Sequence, residues 1–513
     1  MKVKNLYILL FILVTSNLSE KDTVGKTADS YEVTPNGQFH YEMPISVASG
    51  TGGMSPQLSI VYDSSKGDGL FGRSFDLSGI SLISRVPRNL YRDGKADIIH
   101  FDESDRFMLD GARLTIVNET AEYREYRTEN NSFSKIIAEG NKANPSKFTV
   151  YTKDGLTREY INAKNLSGRN SNNLFWLETK VTDTKGNYYR ISYNSDCENN
   201  EFLPERITYT ANDKAGLSPY ASILITYKTC CSPCAFISGQ KVKKSHVINR
   251  IDCKYGEQLV RRYDIDYTIA NNEHLVRSIK ESTANDRKRP TSFSWNNNEW
   301  NGTTNLGATT YTNATLATAV TGDFNGDGKA DFICYPNSKG SSVPISLHVS
   351  TNTGDNALTS VTDGLGNHTN IKYAKLTDGQ VFRRGTLKSY PFVSAICPWP
   401  VVKEMSVSDG IGGMSTTGYR YSNLITHKRG RGILCFEEMS ANDYNTGIIT
   451  TKGYEILKET ATPVLKYSKT MLDGKILNDA FYKNAISYQY NDGKSEVAYN
   501  VLSSMRRGKV IRI

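Results

Sequence analysis

The segment TGDFNGDGKADFICY carries oxygen-bearing side chains at the spacing of a cation-binding loop. They stand at Asp323, Asn325, Asp327 and Asp331. Oxygens at positions i, i+2 and i+4 of a tight loop converge on one point, and Gly328 permits the sharp turn that this needs. Calcium prefers such hard oxygen ligands. The sequence therefore predicts a structural calcium site here, and the alternative is an acidic surface turn.

This loop resembles the calcium loop of FG-GAP and VCBS repeats, which form the blades of integrin-like propellers. The resemblance implies that Lys329 contributes its backbone carbonyl as a further ligand. Cys334 stands where a helical EF-hand has its bidentate Glu, so the ligand set closes at Asp331. A complete propeller needs several blades. We therefore expect only a partial propeller-type element, over residues 301–356.

A short spacing of Asp, Gly three residues later and Tyr a further seven on is used three times. The copies are Asp183, Gly186, Tyr193; Asp363, Gly366, Tyr373; and Asp409, Gly412, Tyr419. Gly accepts positive φ and Asp bonds its own backbone, so each copy predicts a β-hairpin whose Tyr packs onto the first strand. Such hairpins must stack to be stable. The spacing resembles the YD repeats of Rhs proteins, and three ordinary hairpins are the alternative.

The N-terminal third carries a different signature. Pro44, Leu58 and Tyr62 stand around a Gly50–Gly53 cluster, and Ser81–Arg85 follows. This pattern resembles the N-terminal domain of SpvB-type virulence proteins and of the B components of insecticidal Tc toxins, a β-rich wall segment without catalytic residues. We assign it to residues 30–300. A GxGxxG match at Gly67, Gly69 and Gly72 is rejected as a dinucleotide site, because strand-like sequence follows it.

Residues 357–513 resemble the middle region of Tc toxin B components. The matching positions are Tyr419, Tyr421, Arg429, Gly430 and Phe436. Members of that family continue through further repeats that enclose a toxic C-terminal segment. With few repeats present, the sequence predicts a truncated strip of strands with an unpaired edge near residues 490–513, to be covered by a partner chain.

The termini and composition indicate an exported protein. Residues 1–19 combine early lysines with a short apolar core, as in a secretory signal peptide, and no later run is long enough to span a membrane. The net charge of +9 is spread along the chain, which argues against nucleic-acid binding. Eight cysteines are compatible with disulfides or with buried thiols, and the spacing decides neither.

No catalytic constellation is recognisable in the sequence. The seven His residues are scattered, and neither a nucleophile elbow nor the Ser-Thr-Ser strand of the SpvB transferase domain is found. The sequence therefore predicts an all-β protein of sandwich and Rhs-type shell segments. Its predicted function is a secreted, non-enzymatic scaffold, with calcium as ligand and other toxin-complex or Rhs-type chains as partners. The alternatives are an integrin-like adhesin for a host or cell-surface receptor, and an enzyme such as a glycosidase.

Overall fold

The computed structural model describes residues 21–23, 25–163, 174–196, 199–230, 234–296, 303–305, 317–336, 345–350, 355–491 and 495–507. Almost all regular structure in these ranges is β-strand, which confirms the predicted all-β class. One short helix, α1 (Leu90–Asp93), and two 3-10 turns, Thr51–Gly53 and Asp213–Ala215, interrupt the strands. No helix among the described residues is long and apolar enough to cross a membrane.

The strands of the first half are, in chain order, β1 (Lys21–Thr23), β2 (Ser30–Val33), β3 (Phe39–Pro44), β4 (Ser59–Asp63), β5 (Phe75–Ser78), β6 (Leu82–Val86), β7 (Arg106–Leu109), β8 (Ala112–Glu119), β9 (Tyr123–Thr128), β10 (Lys135–Gly140), β11 (Pro145–Tyr151), β12 (Thr157–Asn162), β13 (Phe175–Thr182), β14 (Asn187–Asp196), β15 (Glu201–Asn212), β16 (Ala221–Thr229), β17 (Cys234–Ile237), β18 (Gln240–Lys243) and β19 (His246–Tyr255).

The strands of the second half are β20 (Gln258–Ala270), β21 (Glu273–Ser282), β22 (Asp286–Lys288), β23 (Thr291–Asn296), β24 (Thr303–Asn305), β25 (Ala317–Gly322), β26 (Asp331–Pro336), β27 (Ser346–Ser350), β28 (Ala357–Thr362), β29 (His368–Lys375), β30 (Phe382–Arg383), β31 (Phe392–Ala395), β32 (Pro400–Ser408), β33 (Met414–His427), β34 (Gly432–Asp443), β35 (Ile449–Leu457), β36 (Thr462–Leu472), β37 (Lys475–Asn491) and β38 (Ser495–Arg507).

Strands β6 to β13 form a closed antiparallel barrel. Each strand pairs with the next, and β13 closes the ring by pairing Phe175–Leu177 with Leu82–Ser84 of β6. Alternate residues point inward, as in β9, where every second side chain is buried. The interior is packed around the mutually tilted rings of Phe107, Phe148 and Trp176. The barrel is therefore a filled core.

Strand β13 also belongs to a second, much larger sheet. Its C-terminal residues pair with β14, and the chain continues through a run of antiparallel hairpins to β38. A separate four-stranded sheet, β2 to β5, packs on this large sheet and shares its hydrophobic core. Phe75 of the small sheet lies edge-on to Phe293 of the large one, with ring centroids 5.2 Å apart. Strand β5 follows Gly72 directly, so the GxGxxG stretch leads into a strand, as predicted.

The edge strand β38 is partly covered from within the chain. It pairs with β37 on one side. On the other side the N–H of Tyr499 donates to the Glu129 carbonyl, and the N–H of Asn131 donates to the Tyr499 carbonyl. The large sheet therefore returns to the barrel from which it starts. The expectation of an unpaired edge is wrong at Tyr499, because the barrel loop after β9 supplies the missing hydrogen bonds.

Candidate functional site

The predicted calcium residues lie in one loop between β25 and β26, at the end of a small antiparallel sheet ordered β24-β27-β26-β25. The carboxylate of Asp323 accepts hydrogen bonds from the backbone N–H groups of Gly326, at 2.7 Å, and of Gly328, at 2.9 Å. Asn325 donates its side-chain amide to Asp327 at 3.1 Å. The structure thus brings Asp323, Asn325 and Asp327 together around one turn.

Asp331 occupies a different position from the other three residues. It is buried, and its two oxygens accept hydrogen bonds from the backbone N–H groups of Phe324 and Ser350, both at 2.9 Å. Burial opposes the ionised form, but the Ser350 bond outweighs it and the pKa of Asp331 is lowered. Asp331 therefore ties the loop to β27 as an ionised carboxylate.

The fit of the loop to calcium is incomplete in this geometry. Asp323 Oδ1 accepts two backbone N–H bonds, from Gly326 and Asp327, whereas Asp323 Oδ2 accepts one and keeps a second lone pair for a cation. Yet the described residues contain no group of three or more His, Cys, Asp or Glu side chains placed to hold a metal ion. Calcium at Asp323, Asn325, Asp327, Lys329 and Asp331 therefore stays a prediction.

The acidic loop is docked against the large sheet. The Thr377 hydroxyl donates to the Gly326 carbonyl at 2.6 Å. A Cβ atom on Gly328 would lie 3.2 Å from Pro398, and the φ of Gly328 is +81°. Larger residues at Gly328 would therefore be strained and crowded. The loop thus serves as a contact between the β24–β27 sheet and the large sheet.

The three predicted Asp–Gly turns share one geometry. Asp183, Asp363 and Asp409 each accept hydrogen bonds from the backbone N–H groups two and four residues later, at 2.8–2.9 Å. The glycine three residues after each Asp has φ of 90–95°. These turns join β13 to β14, β28 to β29 and β32 to β33. The hairpin prediction is therefore confirmed at all three positions.

The tyrosines show a wider repeat than the sequence analysis found. Tyr193 donates its hydroxyl to the Glu178 carbonyl on the preceding strand at 2.8 Å, as predicted. In the third copy the equivalent donor is Tyr421, which bonds the Val402 carbonyl, and not Tyr419. The hydroxyls of Tyr227 and Tyr267 donate in the same way to backbone carbonyls on β15 and β19. The indole N–H of Trp295 donates to a backbone carbonyl on β21.

Four of these aromatic residues, all but Tyr421, stand at β-bulges, where the pairing of their strand with the strand that follows it in the sheet shifts by one residue. Tyr373 stands at such a bulge too, but its hydroxyl donates to no carbonyl of the described residues. Such shifts fall just before Tyr193, Tyr227, Tyr267, Trp295 and Tyr373. A bulge re-aims the side chain, so the ring folds back over the earlier strand. The signal in the sequence was an apolar residue two positions before each ring, at Ile191, Ile225, Ile265, Phe293 and Ile371.

A polar cluster secures the return of the large sheet to the barrel. Glu129 lies just after β9 and is buried. Arg92 of α1 donates to its Oε1 through Nε and Nη2, at 2.9 and 2.7 Å, and Arg431 of the β33–β34 turn donates to the same oxygen at 2.5 Å. The Arg431 guanidinium also lies 4.4 Å from the centre of the Tyr91 ring. One carboxylate thus holds two distant parts of the chain together.

Of the eight cysteines, Cys197 and Cys231 lie outside the described residues. Cys253, Cys334, Cys397 and Cys435 are free thiols. Cys253 and Cys435 are buried, and burial raises the pKa of each thiol to about 12, so neither is a reactive thiolate at neutral pH.

A filled barrel, a packed four-stranded sheet and a long hairpin sheet closed back onto the barrel define a β-rich shell protein. Residues 33–257 match the family described as "Salmonella virulence plasmid 65kDa B protein" (SpvB), and residues 289–460 match "Insecticide toxin TcdB middle/N-terminal region". The chain therefore carries the SpvB and Tc toxin-type domains that its sequence resembles. No curated protein matches the chain significantly.

Solved Tc toxin structures share the fold. The crystal structure of TcdB2-TccC3 superposes with a TM-score of 0.69 at 10% identity, covering 98% of this chain and 44% of that chain. The form without the hypervariable C-terminal region gives 0.69 at 10% identity, over 98% and 42%. A Photorhabdus luminescens Tc holotoxin pore gives 0.67 at 10% identity, over 96% and 42%. This chain spans less than half the length of those chains.

Proposed function

We propose that the chain is a secreted, non-enzymatic scaffold that forms part of the β-rich shell of a Tc/SpvB–Rhs-type toxin or virulence assembly. The observation that carries this proposal is the clamp at Glu129, which joins Arg92 of the barrel to Arg431 of the β33–β34 turn. Backbone bonds beside it hold Tyr499, in the last described strand of the large sheet, to the same barrel loop. A sheet fixed at both ends keeps its curvature, which is what a wall requires. The family matches over residues 33–257 and 289–460 support the same conclusion.

The use of the buried ionisable groups supports a structural role. Glu178 lies beside the barrel seam, where its carboxylate accepts hydrogen bonds from the Ser81 N–H at 3.2 Å and from Arg158 at 2.8 Å. Burial raises the pKa of Glu178, and Arg158 opposes that rise. Arg85 is likewise buried inside the barrel against Asp105, at 2.8 Å. Both carboxylates are bound by groups that close the barrel, which suits a scaffold.

The partners in this proposal are other chains of a toxin complex. The matched crystal structures are of TcdB2-TccC3. We infer that a TccC3-like or Rhs-type chain is the partner of this shell. Export through the leader at residues 1–19 would place this chain outside the cell, and calcium in the loop around Asp327 would stiffen the β24–β27 sheet that docks on Thr377.

Mixing the purified chain with a TccC3-type chain tests the proposal. We expect a stoichiometric complex by size-exclusion chromatography with light scattering. Arg431→Ala should weaken the complex by opening the clamp, and Arg429→Ala, an exposed residue of the same turn, serves as the matched control. A monodisperse mixture of two free chains, or measurable turnover in a broad hydrolase screen, would contradict the scaffold.

The alternative function is an integrin-like adhesin that binds a host receptor through the acidic loop. Such a role requires that the loop be free to contact a receptor. In the structure, Gly326 of the loop contacts Thr377, and Gly328 lies beside Pro398. This contact favours the scaffold. A pull-down on host cells separates the two, because an adhesin should be captured and should lose capture on Asp327→Ala.

A further inference from the structure

A small hairpin projects from the large sheet and has a mixed apolar and basic surface. Within the described residues, strands β17 and β18 pair only with each other, and a tight turn at Ser238 and Gly239, both with positive φ, joins them. All four residues of β17 are exposed, and the Phe236 side chain is 69% accessible to solvent. Exposure of so much aromatic surface to water is unfavourable, and burial of the Phe236 ring against a binding partner would relieve this cost.

The register of the hairpin puts the ring and two cations on one face. Phe236 stands directly opposite Lys241, and Cys234 stands opposite Lys243. Side chains two residues apart on a strand share a face, so Phe236, Lys241 and Lys243 point the same way. Within the described part of the chain, neither lysine has a carboxylate partner. Segment 234–247 contains three lysines and no acidic residue.

A loop of the barrel extends the apolar part of this surface. The N–H of Ile99 donates to the Ser238 hydroxyl at 3.1 Å, which joins the loop to the hairpin turn. Ile99 itself is buried, but Ile98 beside it is 64% exposed. We define the hairpin patch as Ile98, Phe236, Lys241 and Lys243.

The hairpin patch is anchored firmly to the body of the protein. The Lys243 N–H donates to the Asn199 carbonyl at 2.9 Å, and the Asn200 side chain donates to the Lys241 carbonyl at 2.7 Å. The acidic residues next to Asn200 and Ile98 in the sequence are engaged elsewhere. Glu201 binds the ring of His246 at 2.8 Å, and Asp97 binds Arg88 at 2.7 Å. The patch therefore presents a preorganised apolar tip with uncompensated positive charge.

We propose that the hairpin patch docks this protein onto an anionic lipid bilayer. Exposed apolar side chains at a tip enter the headgroup region, while neighbouring lysines remain at the level of the lipid phosphates and attract them. Lys side chains suit this position because their stems are apolar and their heads stay hydrated. Contact is peripheral: the hairpin is too short to cross a bilayer, and its second strand stays bound to Asn199 and Asn200 of the body.

Vesicle flotation of the full chain tests the proposal. We expect the protein to float with phosphatidylcholine vesicles that contain phosphatidylserine, not with pure phosphatidylcholine, and to be released by salt. Lys241→Glu with Lys243→Glu should weaken binding by about tenfold or more, and Phe236→Ser should weaken it by a similar factor. Matched controls are Lys153→Glu with Lys185→Glu, and Phe133→Ser, all at exposed positions outside the patch. These controls should bind like the parent chain.

A second measurement separates a bilayer from a soluble acidic partner. The fluorescence added by Phe236→Trp should be quenched by brominated lipid if the ring enters the membrane. Absence of binding to anionic vesicles, equal binding to neutral ones, or full binding by the Phe236→Ser variant would overturn the proposal. Capture of the chain by soluble polyglutamate without any quenching would overturn it too, because the patch would then recognise an acidic macromolecule.

Discussion

Arg431 Nη2 lies 2.5 Å from Glu129 Oε1, although 302 residues of sequence separate them. Arg431 comes from a hairpin turn of the large sheet and Glu129 from the barrel. Arg431 also donates to the Thr460 carbonyl at 2.9 Å, and the Tyr91 hydroxyl donates to the Glu459 carbonyl at 3.3 Å. The β33–β34 turn and the β35–β36 turn of the sheet are therefore held against the barrel, at Glu129 and at Tyr91 of α1.

Removal of one partner of the clamp should loosen the end of the sheet. Arg431→Ala leaves the buried Glu129 with Arg92 alone, which should cost about 1–3 kcal/mol of local stability. Hydrogen exchange of residues 495–507 should accelerate in this variant and stay unchanged in Arg429→Ala. Equal protection of β38 in both variants would mean that the backbone bonds to Tyr499 suffice for closure.

The same contact should weaken in mild acid because of His427. This ring is buried edge-on to Tyr91 and Phe392, at 5.2 and 5.0 Å between ring centres. Burial and the nearby charges of Arg431 and Arg429 lower the pKa of His427. The folded state therefore favours the neutral ring, and stability is lost as pH falls below the unfolded value of about 6.5. The pH dependence of hydrogen exchange at Leu90–Asp93 measures this loss.

His427→Phe keeps the ring contacts and removes the titrating group. We expect this variant to flatten the stability change between about pH 6.5 and 5, whereas His368→Phe at an exposed position should not. An unchanged pH profile in His427→Phe would assign the acid response to another group.

The Asp–Gly turns should differ in importance according to their burial. Asp363 is buried, bonds the Asn367 side chain at 2.9 Å and lies 3.7 Å from the Lys26 ammonium. Asp409 makes the same backbone bonds at an exposed turn. Asp363→Ala should lower the free energy of unfolding by about 2–3 kcal/mol, because partly buried N–H donors lose their acceptor. Asp409→Ala should cost about 1 kcal/mol or less. Urea denaturation provides both values.

The pKa of Asp363 adds an acid test to this comparison. Burial alone would raise that pKa, but the bonds from Asn367 and the backbone, with the charge of Lys26, lower it. The contribution of Asp363 is therefore present above the unfolded pKa of about 3.9 and is lost as pH falls through the folded value. The difference between the parent chain and Asp363→Ala should shrink below about pH 4. A constant difference down to pH 2 would contradict an ionised Asp363.

The tyrosine bonds at the β-bulges should each make a modest contribution. Tyr227→Phe removes the hydroxyl that donates to the Pro204 carbonyl at 2.7 Å and keeps the packed ring. The loss should be about 0.5–1.5 kcal/mol, the usual net value of one hydrogen bond. Tyr255→Phe on the exposed surface is the control, and its stability should match the parent chain. A loss as large in Tyr255→Phe would show that the bulge bond has no special role.

Calcium bound in the acidic loop should stabilise the β24–β27 sheet. Added calcium should raise the melting temperature, and Asp327→Ala should abolish the gain, because Asp327 is one of the convergent oxygen donors. An extracellular site of this kind binds at about 10⁻⁴–10⁻³ M. Glu257→Ala, an exposed acidic residue on the β19–β20 turn, should leave the gain intact. Identical melting curves with and without calcium would leave the loop as a docking turn on Thr377.

Local features of the sequence determined the strands and the turns. Asp363 and Gly366 predict their hairpin because the side-chain acceptor and the positive φ belong to the turn itself. Alternation of apolar and polar residues predicts strands for the same reason, since the period of two is a property of each strand alone. The tyrosines at the bulges had a signal too, in the apolar residue two positions earlier.

Only the tertiary structure decided how these strands close. The barrel is sealed where Phe175–Leu177 meets Leu82–Ser84, and the large sheet returns to the barrel where Tyr499 meets Glu129. Neither meeting leaves a local pattern, because each partner is an ordinary strand or turn residue until the curvature of every intervening hairpin has accumulated. The same holds for the acidic loop: its spacing is visible in the sequence, but its docking on Thr377 depends on where the sheet carries that residue.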